Sequence, residues 1–164
     1  MDPLTKETLY GNWATLLLAT DGSGNIDYAG LADEIDYIIA ARCDGIYSNG
    51  TAGEFYSQSD EEFVKISELL ASKCEAAGIP FQIGVSHMSA QASLERLKMV
   101  RKLCPGAVQV ILPDWFPVTM PEAIDFMKGM EEAADGIPLV LYNPPHAKVK
   151  LTPAQTYAEA EKIA

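Results

Sequence analysis

Five times along this chain a short apolar run gives way to a longer segment with the spacing of a helix. The first run, Ala14 to Ala19, ends in the turn-forming cluster Asp21-Gly22-Ser23-Gly24-Asn25. From Tyr28 to Ala41 apolar residues recur at Leu31, Ile35, Ile38 and Ile39, as on one face of a helix. Ile46 to Ser48 is a second run. Ser59 and Glu62 then make a capping-box pair ahead of Phe63, Ile66, Leu69 and Leu70, and this helix stops near Gly78. Phe81 to Val85, Val108 to Leu112 and Leu139 to Tyr142 continue the strands. Ser89 to Cys104 and Pro121 to Ala134 continue the helices, and Thr152-Pro153 opens a last helix toward the chain end. Strict alternation predicts a parallel sheet with crossover helices. The strands are continuous apolar runs, as expected where both sheet faces are covered.

Two architectures fit that pattern. One is a five-stranded doubly wound sheet, complete at this length. The other is the first five units of a (β/α)8 TIM barrel. The strand ends at Thr20, Gly50, Ser86, Pro113 and Asn143 are 30, 36, 27 and 30 residues apart. A barrel of this kind has roughly 31 residues per unit, so the spacing suits it without excluding the doubly wound sheet. No linker divides residues 1–164, which read as one domain.

Composition removes several function classes. A net charge of −11 opposes nucleic acid and anionic membrane surfaces, both of which call for clustered Lys and Arg. Cys43, Cys74 and Cys104 are odd in number and widely spaced. They suggest neither a disulfide framework nor a zinc site, and each is expected to be a reduced, small apolar packer. Residues 1–12 lack the apolar run of a signal peptide, and no stretch approaches the ~20 apolar residues of a membrane span. The expected location is the cytoplasm. His87 and His146 have no carboxylates at ligand spacing, so no metal is expected, and no cofactor is expected either.

Chemistry in parallel α/β folds sits at the C-terminal ends of the strands. After the second strand stands Asn49-Gly50-Thr51-Ala52-Gly53-Glu54. Its glycines allow a sharp turn and close approach to a ligand, and exposed amides in such a turn can bind a carboxylate. It is neither a P-loop nor a dinucleotide fingerprint, and by itself it also reads as an ordinary βα turn. After the fifth strand stands Tyr142-Asn143-Pro144-Pro145-His146. Tyr142 can present its hydroxyl to a pocket or simply pack with that hydroxyl on the backbone.

Taken together, these segments resemble the N-acetylneuraminate lyase / dihydrodipicolinate synthase family. Gly50-Thr51-Ala52-Gly53-Glu54 resembles its Gly-(Ser/Thr)-Thr-Gly-Glu motif, and Tyr142-Asn143-Pro144-Pro145 its Tyr-Asn-x-Pro motif. Asp21 to Asp27 resembles the loop after its first strand. The resemblance covers essentially the whole chain. It implies a (β/α)8 barrel and a class I, Schiff-base lyase or synthase acting on pyruvate or another 2-oxo acid. A lysine at the end of the sixth strand would form the imine. Tyr142 and Thr51 would relay protons, and Gly50, Thr51 and Ala52 would cradle the substrate carboxylate. A homotetramer is implied for the full-length protein.

The departures redirect the second substrate. Ala52 stands where the family usually has threonine, and Leu18-Ala19 where it has Thr-Pro. In Pro113-Asp114-Trp115-Phe116, Trp115 takes the place of a tyrosine that a neighbouring subunit would lend. The synthase arginine falls on Ala147, with Lys148 beside it as a partial substitute. A divergent aldolase or hydratase-aldolase with a bulkier, more apolar second substrate is the implied activity, with His146 touching its distal part. The imine lysine would fall near position 170, by the roughly 31-residue repeat. Lys65, Lys98, Lys128 and Lys162 sit in expected helices and Lys148 in a loop, so none is expected to replace it. The chain is accordingly expected to be a fragment, inactive alone. The competing expectation is a self-contained, non-catalytic α/β module that binds a small carboxylic acid or a partner protein.

Overall fold

Ser59 opens the second helix by accepting the Glu62 amide at 3.3 Å, while the Glu62 carboxylate takes the Ser59 amide at 2.8 Å. Asp27 caps the first helix in the same spirit, accepting from the amides of Ala29 and Gly30. Such caps satisfy amides that a helix start leaves bare. The computed structural model describes residues 1–156. In chain order its elements are β1 (Trp13–Thr15), α1 (Tyr28–Ala40), β2 (Gly45–Ser48), α2 (Asp60–Ala77) and β3 (Phe81–Gly84). They continue as α3 (Ala90–Val100), β4 (Ala107–Val110), α4 (Met120–Ala134) and β5 (Leu139–Leu141). Residues 153–156 begin the last expected helix; the rest of it lies outside the described residues.

All five strands are parallel, and their order in the sheet is β1-β2-β3-β4-β5. This order separates the two architectures. A doubly wound sheet reverses its direction of growth at a switch point, whereas a barrel adds each strand beside the last. Here growth never reverses. Each helix packs on the next, α1 on α2, α2 on α3 and α3 on α4. The side of the sheet facing them carries Ile46, Phe81, Ile83, Val85, Val108 and Val110. These pack with Leu31, Ile35, Phe63, Ile66, Leu70, Leu97 and Met130 in one core. Burial of each such side chain contributes about 1.5–3 kcal/mol. The other side of the sheet, by register, carries Trp13, Thr15, Tyr47, Gln82, Gln109 and Val140. Gly84 lies on that side as well. A Cβ there would sit 2.7 Å from the Asn49 carbonyl, so only glycine lets β3 lie this close to the end of β2.

Two expected elements are shorter than their apolar runs. The first strand was expected to extend to Ala19 but ends at Thr15. The Leu16 amide still reaches the Tyr47 carbonyl at 2.8 Å, but the Leu17 amide goes to the Glu34 carboxylate on α1 at 2.8 Å. Thr20 then pairs antiparallel with Ile26, closing the 21–25 turn. The third helix leaves α geometry after Val100, passes through a 3-10 turn at Arg101–Leu103 and ends at Cys104 with φ 47°. Pro105 follows, and a residue before proline is driven out of the helical region. That left-handed turn leaves Cys104 exposed, not packed as expected; Cys74 is buried and Cys43 half-buried. Burial pushes the Cys74 thiol up to about 12, so it remains protonated. No helix among the described residues is long and apolar enough to cross a membrane.

Candidate active site

The chain leaves β2 through Asn49, whose backbone is left-handed at φ 54°. Asparagine tolerates this conformation better than most residues. Its buried amide nitrogen donates to the hydroxyls of Ser48 (3.2 Å) and Ser67 (3.1 Å), and Ser67 is itself anchored on the Phe63 carbonyl. The turn that follows is closed by the Glu54 amide on the Thr51 carbonyl, 3.1 Å, and the Phe55 amide on the Gly50 carbonyl, 3.4 Å. The amides of Gly50, Thr51 and Ala52 donate to no protein acceptor among the described residues. Consecutive free amides of this kind can make an anion-binding concavity.

At the other side of the site, the Tyr142 amide extends the pairing of β5 by reaching the Val110 carbonyl at 2.8 Å. Asn143 then clamps the loop it starts. Its side chain donates to the Leu151 carbonyl at 2.7 Å and accepts the Leu151 amide at 3.4 Å. Lys148 ties this loop to the one after β4. Its ammonium donates to the carbonyls of Asp114 and Trp115, and its amide to the Asp114 carboxylate. Lys148, expected to substitute only in part for the missing arginine, is thus engaged with backbone carbonyls.

Between these segments lies a cavity of about 250 Å³ at the C-terminal ends of the strands. It brings together Thr51, Tyr142 and His146. Its walls are mostly apolar, with Phe55, Met88, Ile111, Leu112, Pro144 and Val149 among them; Asp114 and His146 are its ionisable groups besides tyrosine. Gly50 and Ala52 flank Thr51 in the chain but do not line the cavity. Trp115 is 69% exposed and lies outside it, edge-to-face with Phe116 at 6.2 Å. Tyr142 is 38% exposed, and its hydroxyl has no hydrogen bond among the described residues. His87 does not line the cavity; its Nδ1 accepts the Ser89 amide at 3.0 Å. Burial, then the Arg96 cation, hold its imidazole below the usual histidine range, against a weaker pull from Asp60. No cluster of His, Cys, Asp or Glu suited to a metal occurs among the described residues.

Phe55, Tyr56 and Met88 were not anticipated as lining residues. They lie in loops, where no periodicity points a side chain. Arg96 was not anticipated either. It sits on α3 with Ser93, Leu97 and Val100, all buried, and is itself 2% exposed. A lone arginine in register with a helix's buried face was the signal available.

The sequence model of the dihydrodipicolinate synthetase family matches residues 9–163. N-acetylneuraminate lyase of Escherichia fergusonii is 30% identical over 145 residues, 88% of this chain and 48% of that protein. The chain spans about half the length of the curated relatives it matches. Among solved structures, CdNal from Clostridium difficile, in complex with mannosamine, superposes with a TM-score of 0.86 at 23% identity. The match covers 93% of this chain and 53% of that one. A prophage protein of the dihydrodipicolinic acid synthase family from E. coli K12, in complex with pyruvate, gives 0.86 at 24%, over 94% and 52%. At these identities the structural likenesses establish the fold, that of a TIM barrel over about half its length.

Proposed function

Because the chain belongs to the dihydrodipicolinate synthetase family, we propose that the full-length protein carrying it is a Schiff-base lyase or synthase for pyruvate or a related 2-oxo acid. The observation that carries this reading is that one cavity joins Thr51 and Tyr142, with the unpartnered amides of Gly50 and Ala52 flanking Thr51 in the chain. A lysine near position 170, by the roughly 31-residue repeat of such barrels, would add to the 2-oxo carbon with loss of water. The resulting iminium draws electrons from the neighbouring carbon, so that carbon can lose a proton and attack an aldehyde, or be released in the reverse reaction. Tyr142, through Thr51, moves the proton. The Gly50, Thr51 and Ala52 amides hold the carboxylate, and His146 meets the far end of the second substrate.

The apolar walls support a second substrate that is bulky and uncharged at its distal end. Lys148 is tied to backbone carbonyls, and the cavity lining contains no Lys or Arg to receive a second carboxylate. The same reading includes a homotetramer for the full-length protein.

The test is borohydride trapping with pyruvate, followed by peptide mass mapping. The full-length protein is expected to gain one reduced pyruvyl adduct on a lysine beyond residue 164. The 164-residue chain alone is expected to gain none. An adduct on a lysine within these 164 residues would overturn the assignment of the nucleophile. Absence of any adduct in the full-length protein would overturn the imine chemistry itself.

A further inference from the structure

We propose that Arg96 is a positioning residue, one that sets the carboxylate-binding turn from beneath; this rests on the reading of that turn given above. Arg96 does not line the cavity. Its side chain is 3% exposed and lies under the loops that do. One terminal guanidinium nitrogen donates to the carbonyls of Phe55 at 3.1 Å and Ser86 at 3.2 Å. The other donates to the Gln58 carbonyl at 3.1 Å, and Nε faces the Asp60 carboxylate at 3.4 Å. Its Cζ lies 4.8 Å from the centroid of the Phe63 ring.

A buried cation is a costly way to fill space. Desolvating a guanidinium costs several kcal/mol unless its donors are met, and an aliphatic side chain would pack at no such cost. What the guanidinium supplies is a rigid fork of five donors, able to hold carbonyls of two separate loops at fixed angles. Those loops are the one carrying Thr51, Phe55 and Tyr56, and the end of β3 beside it. The link continues upward: the Gln58 side-chain amide, also buried, donates to the Gly53 carbonyl at 2.8 Å. Gly53 ends the run of residues 50–53 in which the free amides stand. Arg96 thus fixes the C-terminal side of the segment, Gly53 through Gln58 and Phe55 directly, and the Phe55 amide in turn reaches the Gly50 carbonyl at 3.4 Å. A tilt of this segment would turn the amides away from the carboxylate and shift Thr51 with them, while leaving the imine lysine and Tyr142 in place on other strands.

The test uses the full-length protein and three variants, Arg96→Met, Arg96→Lys and Gln58→Leu, with kcat and KM for pyruvate measured at saturating second substrate. Arg96→Met is expected to raise KM for pyruvate at least tenfold, with a fall in kcat alongside it because Thr51 moves with the segment. Arg96→Lys should give an intermediate rise, because an ammonium satisfies some carbonyls but not the fork. Gln58→Leu should shift KM in the same direction by severing the link to Gly53 while leaving Arg96 intact. A residue that only braced the fold would lower the melting temperature and leave KM alone. KM within twofold of wild type in the folded variants overturns the proposal, as does a fall in kcat with KM unchanged. If Arg96→Met does not fold, the other two variants decide on the same criteria. The wild-type trapping experiment separates the premises: no adduct there removes the site reading and this proposal with it, whereas a wild-type adduct with unshifted variants removes this proposal alone.

Discussion

Tyr142→Phe separates chemistry from packing at this site. The substitution removes one oxygen and keeps the ring. That oxygen makes no hydrogen bond among the described residues, and the residue is 38% exposed. The change should therefore shift stability by no more than about 0.5 kcal/mol. A tyrosine whose hydroxyl was tied to the backbone would instead lose about 0.5–1.5 kcal/mol. If the hydroxyl moves the proton between substrate and Thr51, its loss should lower turnover by roughly 10²–10⁴. That corresponds to about 2.7–5.5 kcal/mol of barrier, several times the largest stability change expected. The assay is steady-state turnover of full-length wild type and variant at saturating pyruvate, with a thermal melt on the same samples. Turnover within threefold of wild type at an unchanged melting temperature would refute the relay. Tyr142 would then be a wall of the cavity and nothing more.

Two further outcomes follow from the sheet and from His87. Strand β1 pairs only with β2, and β5 only with β4, among the described residues. The isolated 164-residue chain is therefore expected to self-associate through these bare edges, or to melt without a sharp transition. A monodisperse, cooperatively melting monomer on size-exclusion chromatography would contradict this and favour the self-contained module. His87 accepts the Ser89 amide on Nδ1 and is held below its ordinary value of 6.5. Between its folded and unfolded pKa the unfolded chain holds the extra proton, so this contribution is full above about pH 6.5 and is lost as pH falls through the folded value. In full-length protein, a histidine NMR titration placing His87 at or above 6.5 would contradict the assignment.

The fold was legible where the signal is local. Ser59 with Glu62, and the recurrence of Leu31, Ile35 and Ile38, announce helices because cap and periodicity act within a few residues. Periodicity left the strand order open, because a doubly wound sheet and a barrel are built from the same units, and only the motif resemblance pointed to the barrel. Long-range pairing, here β1 to β2 and onward to β5, bears the barrel out. The first strand was overestimated because Glu34, seventeen residues along from Leu17, takes an amide that an unbroken apolar strand would give to the sheet. Thr51, Tyr142 and His146, singled out by their motifs at strand ends whose positions follow from the repeat, line one cavity. Trp115 was placed by the same logic, yet its loop turns it outward. The direction a loop side chain takes is set by tertiary ties such as Lys148 to the Asp114 and Trp115 carbonyls, and these leave no mark in spacing. Arg96 did leave one: a charged residue among Ser93, Leu97 and Val100 had to be either misplaced or engaged.

The Asn143 clamp bears on how this site can change over time. Its two hydrogen bonds to Leu151 close residues 144–150 into a loop whose feet are fixed independently of its contents. Doubling the length of a closed flexible loop costs only about 0.6 kcal/mol, so insertions there should be tolerated. Tyr142, on the strand side of the clamp, would not feel them. Pro144, His146, Ala147 and Val149, on the loop side, form part of the cavity wall. Lineages carrying this architecture can therefore vary the length and content of that wall, and with it the shape of the cavity, while Tyr142 stays where it is.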